Sequence, residues 1–339
     1  MKEERDKKML NIRGLTVEYH TDEQVVHAVN SLDLDIHYGE SLGLVGETGA
    51  GKTTTALSIL QLVSAPAGRI TAGEIWFEGE ELLKADKKTM RKYRGNEISM
   101  IFQDPMTSLN PVYTVGDQIA EVVRSHNHCS KEEARKRAME MLETVGIPKE
   151  RYDEYPHQFS GGMKQRVVIA MSIACEPRLI LADEPTTALD VTIQAQVLEL
   201  MNELKEKFQT SMLLITHDLG VVAQVCDRVA IMYAGEIVES GDIEAVYENP
   251  RHPYTIGLFE SIPSLDEHVE KLKPIKGQMP DPANLPSGCS FWPRCPYAEE
   301  DCKKRKPPIT KLEGDHQVRC IREINSKNRE GGHEWQITS

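Results

Sequence analysis

The stretch Gly46-Glu47-Thr48-Gly49-Ala50-Gly51-Lys52-Thr53 has the residue types and spacing of a phosphate-binding loop: glycine at its first and sixth positions, then Lys and Thr. Those glycines let successive amide N–H groups converge on one anion, and a helix starting there adds partial positive charge. Lys52 is expected to reach the β- and γ-phosphates of a nucleoside triphosphate, and the Thr53 hydroxyl to coordinate Mg2+. Thr54 belongs to the same nucleotide site. A second stretch, Leu179-Ile180-Leu181-Ala182-Asp183-Glu184, is an apolar run ending in two acids. Asp183 would hold Mg2+, directly or through water, and Glu184 would orient and deprotonate an attacking water. In a third, Phe159-Ser160-Gly161-Gly162-Met163-Lys164-Gln165-Arg166, Ser160 is a good N-cap and the two glycines let an anion approach a second helix start.

Elements that could position these groups surround them. A short strand, Leu42 to Val45, enters the phosphate loop and a helix, Thr53 to Val63, leaves it. Leu10 to Tyr19 and Ala28 to Ile36 alternate as strands do, and residues 73–83 add a strand and turn. Together they predict an antiparallel subsheet beside the main sheet. Tyr19, ending the first strand, could stack on a base or be a plain strand aromatic. Residues 104–158 read as a helical insertion. Ser130 and Glu133 form a capping box there, and Gly146 with Pro148 stops the helix. From Leu179 the order is strand, helix (Val191 to Phe208), strand (Met212 to Thr216), which predicts a parallel sheet faced by helices. A hairpin follows at 230–241, then a helix from near Ile243 and a proline-punctuated segment after Pro250.

Net charge of −13 and a pI near 5.4 argue against a nucleic-acid partner, which needs a basic surface. The charged start MKEERDKKML lacks a signal-peptide core, and no apolar run approaches the roughly 18–20 residues of a membrane span. The expectation is a cytoplasmic protein whose membrane role comes through partners. Cys129, Cys175 and Cys226 are read as buried thiols in helical settings. Cys289, Cys295, Cys302 and Cys320 cluster with spacing C-x5-C-x6-C-x17-C. Disulfides explain that poorly in a reducing cytosol. Four thiolates suit a 4Fe–4S cluster or Zn2+, with free or paired thiols a third possibility. The absence of short cysteine knuckles and the aromatic, proline-rich surroundings favour the cluster, as a staple for a small appendage. Lys303 to Lys306 reads as a solvated basic turn.

Three further marks complete a pattern: Gln103 in Ile101-Phe102-Gln103-Asp104-Pro105, Ala188-Leu189-Asp190, and His217 in Leu214-Ile215-Thr216-His217-Asp218. With the three stretches above they resemble the motif set of ATP-binding-cassette (ABC) ATPases over roughly residues 8 to 250. The resemblance implies an α/β phosphate-loop NTPase core with an antiparallel β-subdomain and a helical subdomain. It makes Gln103 the Q-loop glutamine near the metal, Asp190 part of the D-loop and His217 the γ-phosphate switch. It further implies that two cassettes pair head to tail, so that Ser160, Gly161 and Gly162 act on the partner's nucleotide. The signature reads FSGGM where LSGGQ is commonest, and Met163 cannot reproduce the hydrogen bonding of glutamine.

Residues 250–262 and the cysteine segment resemble the C-terminal extension of ATPases from oligopeptide and dipeptide importers. That implies an ATPase domain at 1–255, with its boundary near 255–265, and a small loop-rich domain at 256–339 carrying the cluster. The expected setting is the cytoplasmic face of the membrane. The expected partners are a second ATPase subunit, two integral permease subunits and, indirectly, an extracytoplasmic binding protein. Import of nickel or another small solute, and a non-transport ABC ATPase, remain as alternatives.

Overall fold

The computed structural model describes residues 7–187, 189–261 and 274–322. Ala188, most of the stretch after residue 261 into which the expected boundary runs, and the polar stretch from Asn325 lie outside them.

Two sheets stack around a shared core. The smaller is antiparallel, in the order β2-β1-β4-β5, from β1 (Lys8–His20), β2 (Val25–His37), β4 (Gly68–Phe77) and β5 (Glu80–Glu81). The larger runs β11-β12-β10-β9-β3-β8-β7-β6. Its parallel part is β3 (Ser41–Val45), β6 (Ile98–Ile101), β7 (Leu179–Asp183), β8 (Ser211–Thr216) and β9 (Arg228–Tyr233), with β6 at the edge. Every residue of β3, β7 and β8 is buried, as expected for parallel strands covered on both faces. Leu10, Ile12, Ile75 and Phe77 of the small sheet meet Leu42, Leu44, Leu213 and Ile215 of the large one.

α1 (Lys52–Ile59) leaves the phosphate loop and α2 (Lys87–Tyr93) follows β5; Ala56, Ile59 and Met90 pack into the core shared with the small sheet, and the helices that follow cover the other face. α1 is shorter than the expected 53–63 because Gln61 takes a left-handed φ of 49° and its side-chain amide is anchored on the Leu82 carbonyl. α3 (Pro105–Ser108), α4 (Val115–His126) and α5 (Lys131–Thr144) form the helical insertion. The capping box at Ser130 and Glu133 is present, and Ala134, Ala138, Met141 and Leu142 are the buried face of α5. α6 (Gly161–Ile173) and α7 (Val191–Phe208) start at Ser160 and Asp190, whose side chains accept from Met163 N (3.4 Å) and Ile193 N (3.0 Å). α8 (Leu219–Val225), capped by Asp218, follows β8.

β10 (Glu236–Asp242) makes the expected hairpin with β9; α9 (Ile243–Glu248) and α10 (Pro253–Glu260) follow. The cysteine segment then docks on the same sheet. It holds α11 (Glu300–Lys304) and the two-residue strands β11 (Thr310–Lys311) and β12 (Gln317–Val318), and β12 pairs with β10. All four residues of the basic run at 303–306 are exposed, as expected, although Lys303 and Lys304 close α11 rather than forming a turn, and Lys306 pairs with the buried Glu236 carboxylate at 2.7 Å. Cys129, Cys175 and Cys226 all lie just outside helices, since α4, α6 and α8 end before them.

Candidate active site

β3 delivers the chain into the phosphate loop, and packing explains the glycines. A Cβ on Gly46 would collide with the Met232 carbonyl, and one on Gly51, at φ +105°, with the Ala28 carbonyl. Lys52, the first residue of α1, is buried and donates to the carbonyls of Gly46 (2.6 Å) and Glu47 (3.1 Å). Burial lowers its pKa, opposed by the charges of Glu184, Asp183 and Glu47. The ammonium therefore faces a ring of acids that an anionic ligand with a cation would complement.

A cleft of about 450 Å³ opens over this loop. Thr48 to Thr54 form one wall, Tyr19, Val26 and Ala28 another, and Gln103, Glu184 and His217 a third. Gln103 follows β6, Asp183 ends β7 with Glu184 directly after it, and His217 follows β8, so adjacent parallel strands present their C-terminal ends to one ligand. The Glu184 carboxylate joins the third wall together. Its Oε2 accepts from Gln103 Nε2 (2.8 Å) and Thr187 Oγ1 (3.0 Å), and its Oε1 lies 3.2 Å from His217 Nδ1. Partial burial pushes its pKa up, but hydrogen bonds from His217 and Thr187 and the charges of His217 and Lys52 outweigh that, so the net direction is down. Glu184 also takes a left-handed φ of 45°, the backbone strain that clusters at working sites. Neighbouring Asp183 is shifted the other way, upward by burial, with a hydrogen bond from Thr53 and the charge of Lys52 opposing. That contact joins the two residues expected to share Mg2+.

Ser160, Gly161, Gly162 and Asp190 do not line the cleft. They form a separate face, where a Cβ on Gly162 would press on Ile193 Cγ2 and one on Gly161 would meet Leu189. Ser160, Gly161 and Asp190 are exposed on it.

Sequence reasoning missed three groups here. Pro282 reaches the cleft wall beside Tyr19 and Val26, its carbonyl accepting from His27 N (2.9 Å). Tyr254 Oη accepts from Glu47 N (3.0 Å), and Arg294 forks onto the Glu47 carboxylate. No short-range pattern marks a partner more than 200 residues away; the one local signal was Pro253 at the first turn of a helix, which would have placed Tyr254.

The cysteines Cys289, Cys295, Cys302 and Cys320 line one narrow cavity of about 20 Å³ beside Phe291 and Trp292. Burial pushes the thiols of Cys289 and Cys295 up to about 11, and none of the four is in a disulfide. Among the described residues no three His, Cys, Asp or Glu side chains are grouped to hold a single metal ion. Nor is any helix among them long and apolar enough to cross a membrane.

Strand-end acids facing a phosphate loop, with a second capped helix start presented elsewhere, define an ABC-type ATPase. The family model "ABC transporter" matches residues 29–187, and "Oligopeptide/dipeptide transporter, C-terminal region" matches residues 238–302. A putative peptide import ATP-binding protein of Brucella melitensis is 50% identical, covering 93% of this chain and 97% of its own length. The oligopeptide transport ATP-binding protein AppD of Bacillus subtilis is 49% identical, covering 92% and 96%. The dipeptide transport ATP-binding protein DppD of the same organism is 49% identical, covering 92% and 94%. Among solved structures, a dimeric ATP-binding cassette in a post-hydrolysis state bound to ADP and Pi is 29% identical at a TM-score of 0.63, covering 69% of this chain and 99% of its own. This chain belongs to the ATP-binding proteins of ABC transporters, in the oligopeptide/dipeptide branch.

Proposed function

We propose that the chain hydrolyses ATP to energise import of di- or oligopeptides, working as one of two cassettes beneath a pair of membrane permease subunits. The observation that carries this reading is the Glu184 carboxylate, held by Gln103, Thr187 and His217 at the mouth of a loop built for phosphates. Tyr19 offers its ring to the base. The amides from Gly46 to Thr54 and the Lys52 ammonium take the phosphates. Glu184, kept ionised by its donors, accepts a proton from the water it orients, and His217 stands where it can contact the γ-phosphate. Mg2+, held by Thr53, Asp183 and Gln103, would neutralise charge on the β- and γ-phosphates.

The exposed face of Ser160, Gly161, Gly162 and Asp190 is assigned to the nucleotide of the partner cassette, so each site is completed by two chains. Phe102, Val112 and Tyr113 expose apolar surface on either side of the start of the helical insertion, which suits docking to permease subunits at the cytoplasmic face of the membrane. An extracytoplasmic binding protein would supply the peptide. The test is co-purification and reconstitution. The reading expects capture of integral permeases and ATP-dependent peptide uptake; capture of ribosomes or DNA instead would overturn it.

Cys289, Cys295, Cys302 and Cys320 are assigned to a 4Fe–4S cluster with a structural role, Zn2+ being the alternative. The support is that the four thiols line one cavity and none of them is in a disulfide. Protein purified without oxygen is expected to be brown, with iron and sulfide in cluster ratio. Colourless protein containing only zinc would contradict the assignment.

A further inference from the structure

Glu47 carries negative charge into the second position of a loop that must hold polyphosphate. The structure handles that charge with one residue of the C-terminal segment. Arg294 Nη1 lies 2.8 Å from Glu47 Oε2 and its Nη2 3.1 Å from Oε1, a two-pronged fork. The guanidinium is itself held. Its Nε donates to the Lys276 carbonyl (3.1 Å), its Nη1 contacts Tyr233 Oη (3.4 Å), and the Arg294 side chain is only 6% exposed. Glu47 is gripped at two further points, its amide by Tyr254 Oη (3.0 Å) and its carbonyl by Lys52 Nζ (3.1 Å).

The same segment ties this grip to the cysteines. Arg294 directly precedes Cys295, and Phe291 packs edge-on against Tyr233 (5.1 Å) and tilted against Tyr254 (5.4 Å). Tyr233, Tyr254 and Phe291 are almost wholly buried. One rigid aromatic cluster therefore backs both the phosphate loop and the wall of the cysteine cavity.

We infer that Arg294 is a positioning residue of the nucleotide site: it neutralises and immobilises Glu47, leaving Lys52 free for phosphate, so the cysteine segment sets nucleotide affinity. This rests on the reading of the cleft as the ATP site. Without Arg294 the Glu47 carboxylate competes for the Lys52 ammonium and repels the incoming phosphates. The penalty then depends on Glu47 being charged, which a purely structural role for Arg294 would not require.

The test is calorimetric titration of the full chain with ADP and Mg2+, comparing wild type, Arg294→Gln, Glu47→Gln and the double variant, each checked for an unchanged unfolding midpoint. Arg294→Gln is expected to weaken ADP binding about tenfold, within the range of couplings between linked groups. Introduced into Glu47→Gln, the same change should shift affinity by less than about twofold, the signature of a coupled pair. Arg294→Lys, which keeps the charge but loses the fork, should fall between wild type and Arg294→Gln; if Arg294→Gln does not fold, Arg294→Lys is compared with and without Glu47→Gln instead. Wild-type affinity in the Arg294 variants, or equal losses in both Glu47 backgrounds, would overturn the inference. Lys52→Ala separates the two failures: if that variant also binds ADP as wild type does, it is the reading of the cleft that fails.

Discussion

The nucleotide cleft and the cysteine segment meet at Glu47 but are built on opposite principles. In the cleft, functional side chains stand at the ends of short, fully buried strands, and the sheet would stay packed without them: β7 is secured by Leu179, Leu181 and the apolar residues around them, not by Glu184. The cysteine segment has little regular structure and is held by polar groups that are its stability. Glu239, 1% exposed, accepts from the amides of Arg251 (2.7 Å) and His252 (2.8 Å) and lies 2.8 Å from His316 Nε2. Glu236 receives Lys306 (2.7 Å) and Ser290 Oγ (2.9 Å). The difference teaches that in the cleft function and folding are separable, whereas the segment depends on these polar contacts to stay on the sheet.

The largest expected effect is on the segment. Glu239→Ala strands one buried and one part-buried amide and a buried histidine, and should lower the unfolding free energy by about 3–5 kcal/mol in denaturant titrations. A loss below about 1 kcal/mol, typical of surface pairs, would break the contrast. In the cleft, Lys52→Ala should weaken ADP binding by about 10- to 150-fold, the equivalent of 1.5–3 kcal/mol of charge-assisted hydrogen bonding. Its unfolding midpoint should hold or rise, because a desolvated ammonium is removed. Loss of stability without loss of affinity would reverse the assignment. The smallest effect belongs to a site remote from both regions. Thr114 caps α4 by accepting from Asp117 N (3.2 Å), and Thr114→Ala should cost about 1 kcal/mol while leaving ADP affinity unchanged.

Legibility in the sequence follows the same division. α7 begins and ends where its spacing predicts, at Val191 and Phe208, because Asp190 caps it and its apolar residues repeat with helical period. β7 and β8 are legible as unbroken apolar runs. The cleft residues were identifiable because each motif is local, a few residues wide. β6 was missed because four residues between polar flanks carry too little pattern, and α8 because seven residues make under two helical turns, too few to show a period, although Asp218 caps it. The pairing of β12 with β10, and of Arg294 with Glu47, joins residues about 80 and 247 positions apart. Tertiary packing alone brings such groups together, and no spacing rule encodes it.

The central claim is that Glu184 activates water for ATP hydrolysis while contributing little to the fold or to nucleotide binding. Glu184→Gln keeps the size of the side chain but removes its basicity. The decisive measurement is phosphate release from ATP by this variant beside wild type, with ADP affinity and unfolding midpoint taken on the same preparations. Release should fall by about 10²- to 10⁴-fold, the usual contribution of a general base, with affinity and midpoint unchanged. Wild-type phosphate release by Glu184→Gln would contradict the account.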